Sequence, residues 1–130
     1  MAFLSWHDRY SLGHAELDAQ HRKLFEVVNH FDDVIEMDMP AELGRIVDDL
    51  IAGALEHFRF EEAVMEQIGF PDRSGHCRMH EELIGQLRQT RTKLKAGGHV
   101  SAKSVAMFLV DWLTYHILRE DMEFKAYLQG

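Results

Sequence analysis

The chain is poor in cysteine, proline and positive charge. Cys77 is the only cysteine, so an internal disulfide is excluded and a reducing, cytoplasmic setting is the simplest reading. Proline occurs only at Pro40 and Pro71, and both sit between periodic stretches, which leaves long segments free to be helical. Fourteen Lys and Arg stand against 22 Asp and Glu, a formal net charge of -8. A nucleic-acid binder needs a basic face to meet phosphates, so that class is set aside. No apolar run approaches the roughly 20 residues of a membrane-spanning helix. "MAFLSWHDRY" lacks a basic start followed by an apolar block, so neither membrane insertion nor a secretory leader is expected.

What the chain does have is apolar residues, 46% of 130, enough for a sizeable core. It also has histidine, nine times. The periodicity predicts an all-α, antiparallel up-and-down four-helix bundle with an irregular N-terminal arm, as a single domain over residues 1–130. The arm covers about 1–17 and the helices about 17–37, 41–68, 74–95 and 102–128. The first helix carries its apolar stripe on Leu17, Leu24, Phe25, Val28, Phe31 and Ile35. The second carries it on Leu43, Ile46 or Val47, Leu50, Ala54, Val64 and Ile68. Met79, Leu83, Leu87 and Leu94 mark the third, and Val105, Phe108, Leu109, Trp112, Leu113, Ile117 and Phe124 the fourth. "AGGHVS" reads as a loop, with Ser101 as N-cap of the last helix.

Polar residues interrupt these stripes. His21 is in phase with Leu17 and Leu24. His57 and Glu61, one turn apart, are in phase with Ala54 and Val64. His76 and His80 are four apart, and His80 continues into Leu83. His116 follows Leu109 and Trp112, and Asp121 follows Leu113 and Ile117. A lone inward histidine is ordinarily satisfied by a carbonyl. Five imidazoles and two carboxylates on four helices exceed what such bonds satisfy, and the stripes hold too few Lys or Arg to neutralise the acids. A bound cation resolves both costs. Seven side chains are too many for one tetrahedral zinc. Two bridging carboxylates, five terminal imidazoles and a bridging oxygen would leave one of two six-coordinate ions with an open position. A small ligand could bind there, and iron is among the metals this donor set suits.

"DAQH" (18–21), "HFRFEE" (57–62), "HCRMH" (76–80) and "WLTYHILRED" (112–121) follow one another on four helices. In this order and spacing the chain resembles the hemerythrins, and among them the single-domain bacteriohemerythrins, over nearly its whole length. The resemblance implies two non-haem iron ions bridged by an oxo or hydroxo group, Glu61 and Asp121. His76, His80 and His116 would hold one iron, and His21 and His57 the other. It implies reversible O2 binding at the iron with two histidines, beside an apolar pocket of Phe58, Trp112, Leu113 and Ile117. An oxygen carrier, storage or delivery protein is therefore expected rather than an enzyme, with O2 as ligand and an unidentified protein as O2 acceptor or reductant. The alternatives are a di-iron redox enzyme acting on O2, peroxide or nitric oxide, and an oxygen or redox sensor. Ferritin-like oxidases use Glu-x-x-His motifs, and this chain has none.

His7, His14, His30 and His99 match no ligand position. His14 is expected to be an ordinary arm histidine, Cys77 a small packed residue, and Glu62 an outward-facing or cross-helix partner. Gly53 is expected to let another helix approach closely. His116 and Asp121 are five residues apart, about 140° around an ideal α-helix. Either the irons straddle this helix or the turn is distorted.

Overall fold

The computed structural model describes residues 4–36, 40–95 and 102–128, with the side chains of Glu36, Pro40, Glu120 and Asp121 outside that description. The "AGGHVS" loop, with His99 and the N-cap expected at Ser101, lies outside the described residues. Among the described residues there is no strand. The elements are α1 (Ala15–Glu36), α2 (Pro40–Ile68), α3 (Arg73–Lys95) and α4 (Ala102–Tyr115), then a π-helical turn (His116–Asp121) and α5 (Met122–Leu128). Tyr115 and Met122 flank the π turn with right-handed helical dihedrals, so α4, the turn and α5 form one continuous fourth rod. No helix among the described residues is long and apolar enough to cross a membrane.

The bundle direction follows from two separate apolar clusters. The larger holds Leu24, Val28, Leu50, Ala54, Phe58, Leu83, Leu87, Leu109 and Leu113, among others. The smaller holds Leu12, Leu17, Val64, Met65, Phe70 and Phe124. Each rod crosses from one cluster to the other, and each next rod crosses back. α1 runs from Leu17 to Leu24, α2 from Ala54 to Val64, α3 from beside Phe70 to Leu83, and the fourth rod from Leu113 to Phe124. This is up-down-up-down topology, as the four amphipathic stripes predict. The candidate ligands occupy the level between the clusters: His21 between Leu17 and Leu24, Glu61 between Ala54 and Val64.

Local chemistry sets the ends of the rods. α1 begins at Ala15, two residues before the expected Leu17, because His14 acts as its cap. The His14 Nδ1 accepts the Leu17 N–H at 3.3 Å, satisfying a donor that the first turn leaves open. α2 stops at Gly69, whose φ of 68° suits glycine. The Phe70 N–H reaches back to the Met65 carbonyl at 2.9 Å and the Gly69 N–H to Glu66 at 3.3 Å. That pair of bonds is a Schellman ending, with its apolar contact between Phe70 and Met65 in the smaller cluster. Met65 thus takes the core place expected for Ile68, which is turned outward and 38% exposed.

The arm is pinned at both ends. The Asn29 side chain pairs with Leu4 through both groups, accepting its N–H at 2.6 Å and donating to its carbonyl at 2.8 Å. Asp18 is 8% exposed. It accepts from the Leu12 N–H at 2.8 Å and the Ser11 hydroxyl at 2.6 Å. Those bonds hold Leu12 in the smaller cluster, over one end of the ligand level.

The π turn answers the spacing of His116 and Asp121. The Met122 N–H bonds to the Ile117 carbonyl, five residues back. A turn wound i to i+5 holds one more residue than an α turn. It therefore brings positions 116 and 121 towards one face. The Asp121 side chain lies outside the described residues.

Candidate metal centre

His21, His57, Glu61, His76, His80 and His116 are buried, none more than 2% exposed. They come from all four rods. Their donor atoms form two groups, each within 4.8 Å: His21, His57, Glu61 and His116 in one, and Glu61, His76 and His80 in the other. Glu61 belongs to both. One of its oxygens lies 3.3 Å from His57 Nε2 and the other 3.0 Å from His80 Nε2. Glu61 thus faces both imidazole groups, one through each oxygen. His116 stands between the groups. Its donor atom gathers with His21 and His57, yet its ring is nearer to His80, at 5.5 Å, than to either of them, at 6.3 Å.

Two residues next to candidate ligands orient the rings. Gln20 Oε1 is 2.7 Å from His57 Nδ1, and Glu62 Oε2 is 2.8 Å from His80 Nδ1. An acceptor at Nδ1 keeps the proton there and leaves Nε2 to face the centre. Burial, the largest influence on His80, lowers its pKa. The bond and charge of Glu61, then the bond of Glu62, outweigh it, so the pKa is raised above the usual imidazole value. Glu62 is thus a cross-helix partner, one of the two roles expected for it. Gln20 was not singled out from the sequence. Its signal is its place beside His21 in "DAQH".

His76 is less tightly held. Glu123 lies 3.9 Å from its Nε2, and its buried Nδ1 has no hydrogen-bond partner among the described residues. Phe70 meets its ring edge to face at 5.0 Å.

The wall is aromatic and aliphatic. Phe58 stacks on His80 at 3.9 Å with the planes 2° apart, and its ring is 5.1 Å from that of His116. Trp112 lies 6.4 Å from Phe58 and donates its indole N–H to the Leu83 carbonyl at 3.1 Å. Leu113 and Ile117 are fully buried in the same cluster.

The fit to metal rests on donor chemistry. Five imidazoles and a carboxylate converge in a buried layer with no buried Lys or Arg among the described residues. Buried polar groups at that density are compatible with bound cations and costly without them.

A family model described as the hemerythrin HHE cation binding domain matches residues 12–128. The chain belongs to the hemerythrin family. Among hemerythrin relatives, a bacteriohemerythrin of Stenotrophomonas maltophilia is 33% identical over 132 residues, covering 98% of this chain and 86% of the relative. One from Methylococcus capsulatus is 32% identical over 104 residues, covering 80% of this chain and 79% of the relative. The crystal structure of a wild-type hemerythrin superposes with a TM-score of 0.88 at 28% identity, over 99% of this chain and all of that one. The buried layer of histidines and Glu61 lies within the matched residues.

The histidines set aside from the sequence lie elsewhere. His7 is exposed and stacks with Tyr10 at 6.2 Å. His30 is exposed. His14 caps α1 and meets Phe60 edge to face at 6.1 Å. Cys77 is half-buried, and burial, followed by Glu62, pushes its thiol pKa up. That disfavours the reactive thiolate.

Proposed function

We propose that this hemerythrin domain binds O2 reversibly at a non-haem di-iron centre, as a carrier, storage or delivery protein. The observation that carries the reading is Glu61 shared between two groups of imidazoles. In this reading His76, His80 and His116 would hold one iron, His21 and His57 would hold the other, and Glu61 and Asp121 would be shared between them. When bound, the irons supply reversible electron exchange with O2.

The protein's own part is to orient and to exclude. Gln20 and Glu62 fix the tautomers of His57 and His80. Phe58, Trp112, Leu113 and Ile117, all nearly or fully buried, are read as the apolar wall of the O2 pocket, which would keep water and stray protons away. A centre with more imidazole than carboxylate carries less negative charge, which disfavours strongly oxidised iron and favours release over turnover. We therefore read the chain as a binding protein in the cytoplasm, not an enzyme, served by a protein acceptor of O2 or a reductant.

Oxygen cycling tests this. The iron-loaded protein is reduced without oxygen, exposed to O2, then purged with argon. A charge-transfer band that appears and disappears over several cycles is the expected result. Irreversible oxidation on the first exposure would favour the rival, a di-iron redox enzyme.

A further inference from the structure

A groove of about 440 Å³ lies between α2 and α3 and reaches the ligand layer only at His80. Its size falls in the range of roughly 300–1,000 Å³ typical of small-molecule sites. Leu55, Phe58 and Ile84 give it an apolar floor. Gly85 leaves that floor open, because a Cβ built there meets nothing within 4 Å. A mid-helix glycine weakens α3, and no turn or close backbone approach accounts for it.

Two cations flank the apolar floor, Arg59 from α2 and Arg88 from α3. Among the described residues six other arginines are engaged, and Arg78, which is not, is exposed on α3 and does not line the groove. Arg45, Arg73 and Arg91 face carboxylates, and Arg9, Arg22 and Arg119 lie over aromatic rings. Arg59 and Arg88 are exposed and do neither among the described residues. Of the acids in the groove, Glu62 is turned to His80, which leaves Glu81 on the exposed rim.

We propose that this groove is a binding site for a small amphipathic carboxylate. Its apolar body lies on Leu55, Ile84 and the open floor at Gly85, and its carboxylate is met by a guanidinium of Arg59 or Arg88. Guanidinium and carboxylate form strong charge-assisted hydrogen bonds. The site needs no metal, so it goes beyond the iron centre and does not depend on it. It does touch that centre, since Phe58 and His80 form its inner wall.

Decanoate titrated into the purified full chain by calorimetry tests the proposal, with decanol as the uncharged comparison. One saturable site per chain is expected. Gly85→Leu fills the floor and should abolish it, while unchanged helical circular dichroism shows that α3 is intact. The double variant Arg59→Gln, Arg88→Gln should weaken decanoate by about tenfold or more, the scale of losing a hydrogen bond to a charged group. It should leave decanol unaffected. No saturable heat, or binding that Gly85→Leu leaves unchanged, overturns the site. Decanoate affinity untouched by the arginine double variant overturns the carboxylate as its ligand.

Discussion

His21 and His57 meet nitrogen to nitrogen, Nε2 to Nε2, at 2.9 Å in the buried layer. Gln20 Oε1 sits 2.7 Å from the other nitrogen of His57, and a carbonyl oxygen can only accept, so the proton belongs at Nδ1. With the proton at Nδ1, His57 turns the lone pair of Nε2 towards both His21 and a Glu61 oxygen 3.3 Å away. A lone pair and a carboxylate oxygen repel unless positive charge lies between them. A cation at their common focus resolves the contact without protonating a buried imidazole.

Glu62→Ala should weaken iron binding without unfolding the bundle. The change removes the acceptor of His80 Nδ1 at 2.8 Å and so frees the ring to turn. Loss of such an outer partner lowers metal affinity by about 10–100-fold. Competition with a calibrated chelator reads this directly. Glu62→Gln, whose amide oxygen still accepts, should recover much of the affinity. Equal chelator curves for wild type and Glu62→Ala would remove Glu62 from the account.

Asp18→Ala should destabilise the fold by about 1–3 kcal/mol, the cost of leaving buried donors without an acceptor. It strips the partners of the Leu12 N–H and the Ser11 hydroxyl. Leu12 is fully buried in the cluster below the ligand layer, so iron should also leave faster. Urea unfolding and iron off-rates check the two effects, and unaltered values in both would show that the arm seals nothing.

Gly53→Ala should stabilise. A Cβ at Gly53 would sit 3.4 Å from Leu24 Cδ2, an ordinary van der Waals contact, so the close helix approach expected from the sequence does not require glycine. The gain in helix propensity is about 0.5–1 kcal/mol. A lower melting temperature for the variant would mean that α1 and α2 are packed too tightly for the added methyl.

The stripes of apolar residues made the four rods and their order legible, because a period of 3.6 names a buried face whatever the partner helix is. The burial of the six described candidate ligands was legible for the same reason: each is a polar residue in phase with apolar neighbours. Three features were harder to read. The π turn depends on one backbone register shift that side-chain periodicity does not encode, although the five-residue gap between His116 and Asp121 hinted at it. Gln20 and Glu62 act across to neighbouring rods, and which rod each meets depends on packing. Ile68 continues the stripe of α2 on paper, but the Gly69 turn folds Phe70 back onto Met65 and turns Ile68 out.

Iron content per folded chain is the most direct measurement of the shared centre. The account predicts two irons per chain in the wild type and in His30→Ala, whose histidine is exposed and belongs to neither donor group. It predicts a loss of iron in His80→Ala and in Glu61→Ala, the residue common to both donor groups. One iron or none in the loaded wild type, or the same iron content in His80→Ala as in His30→Ala, would contradict it.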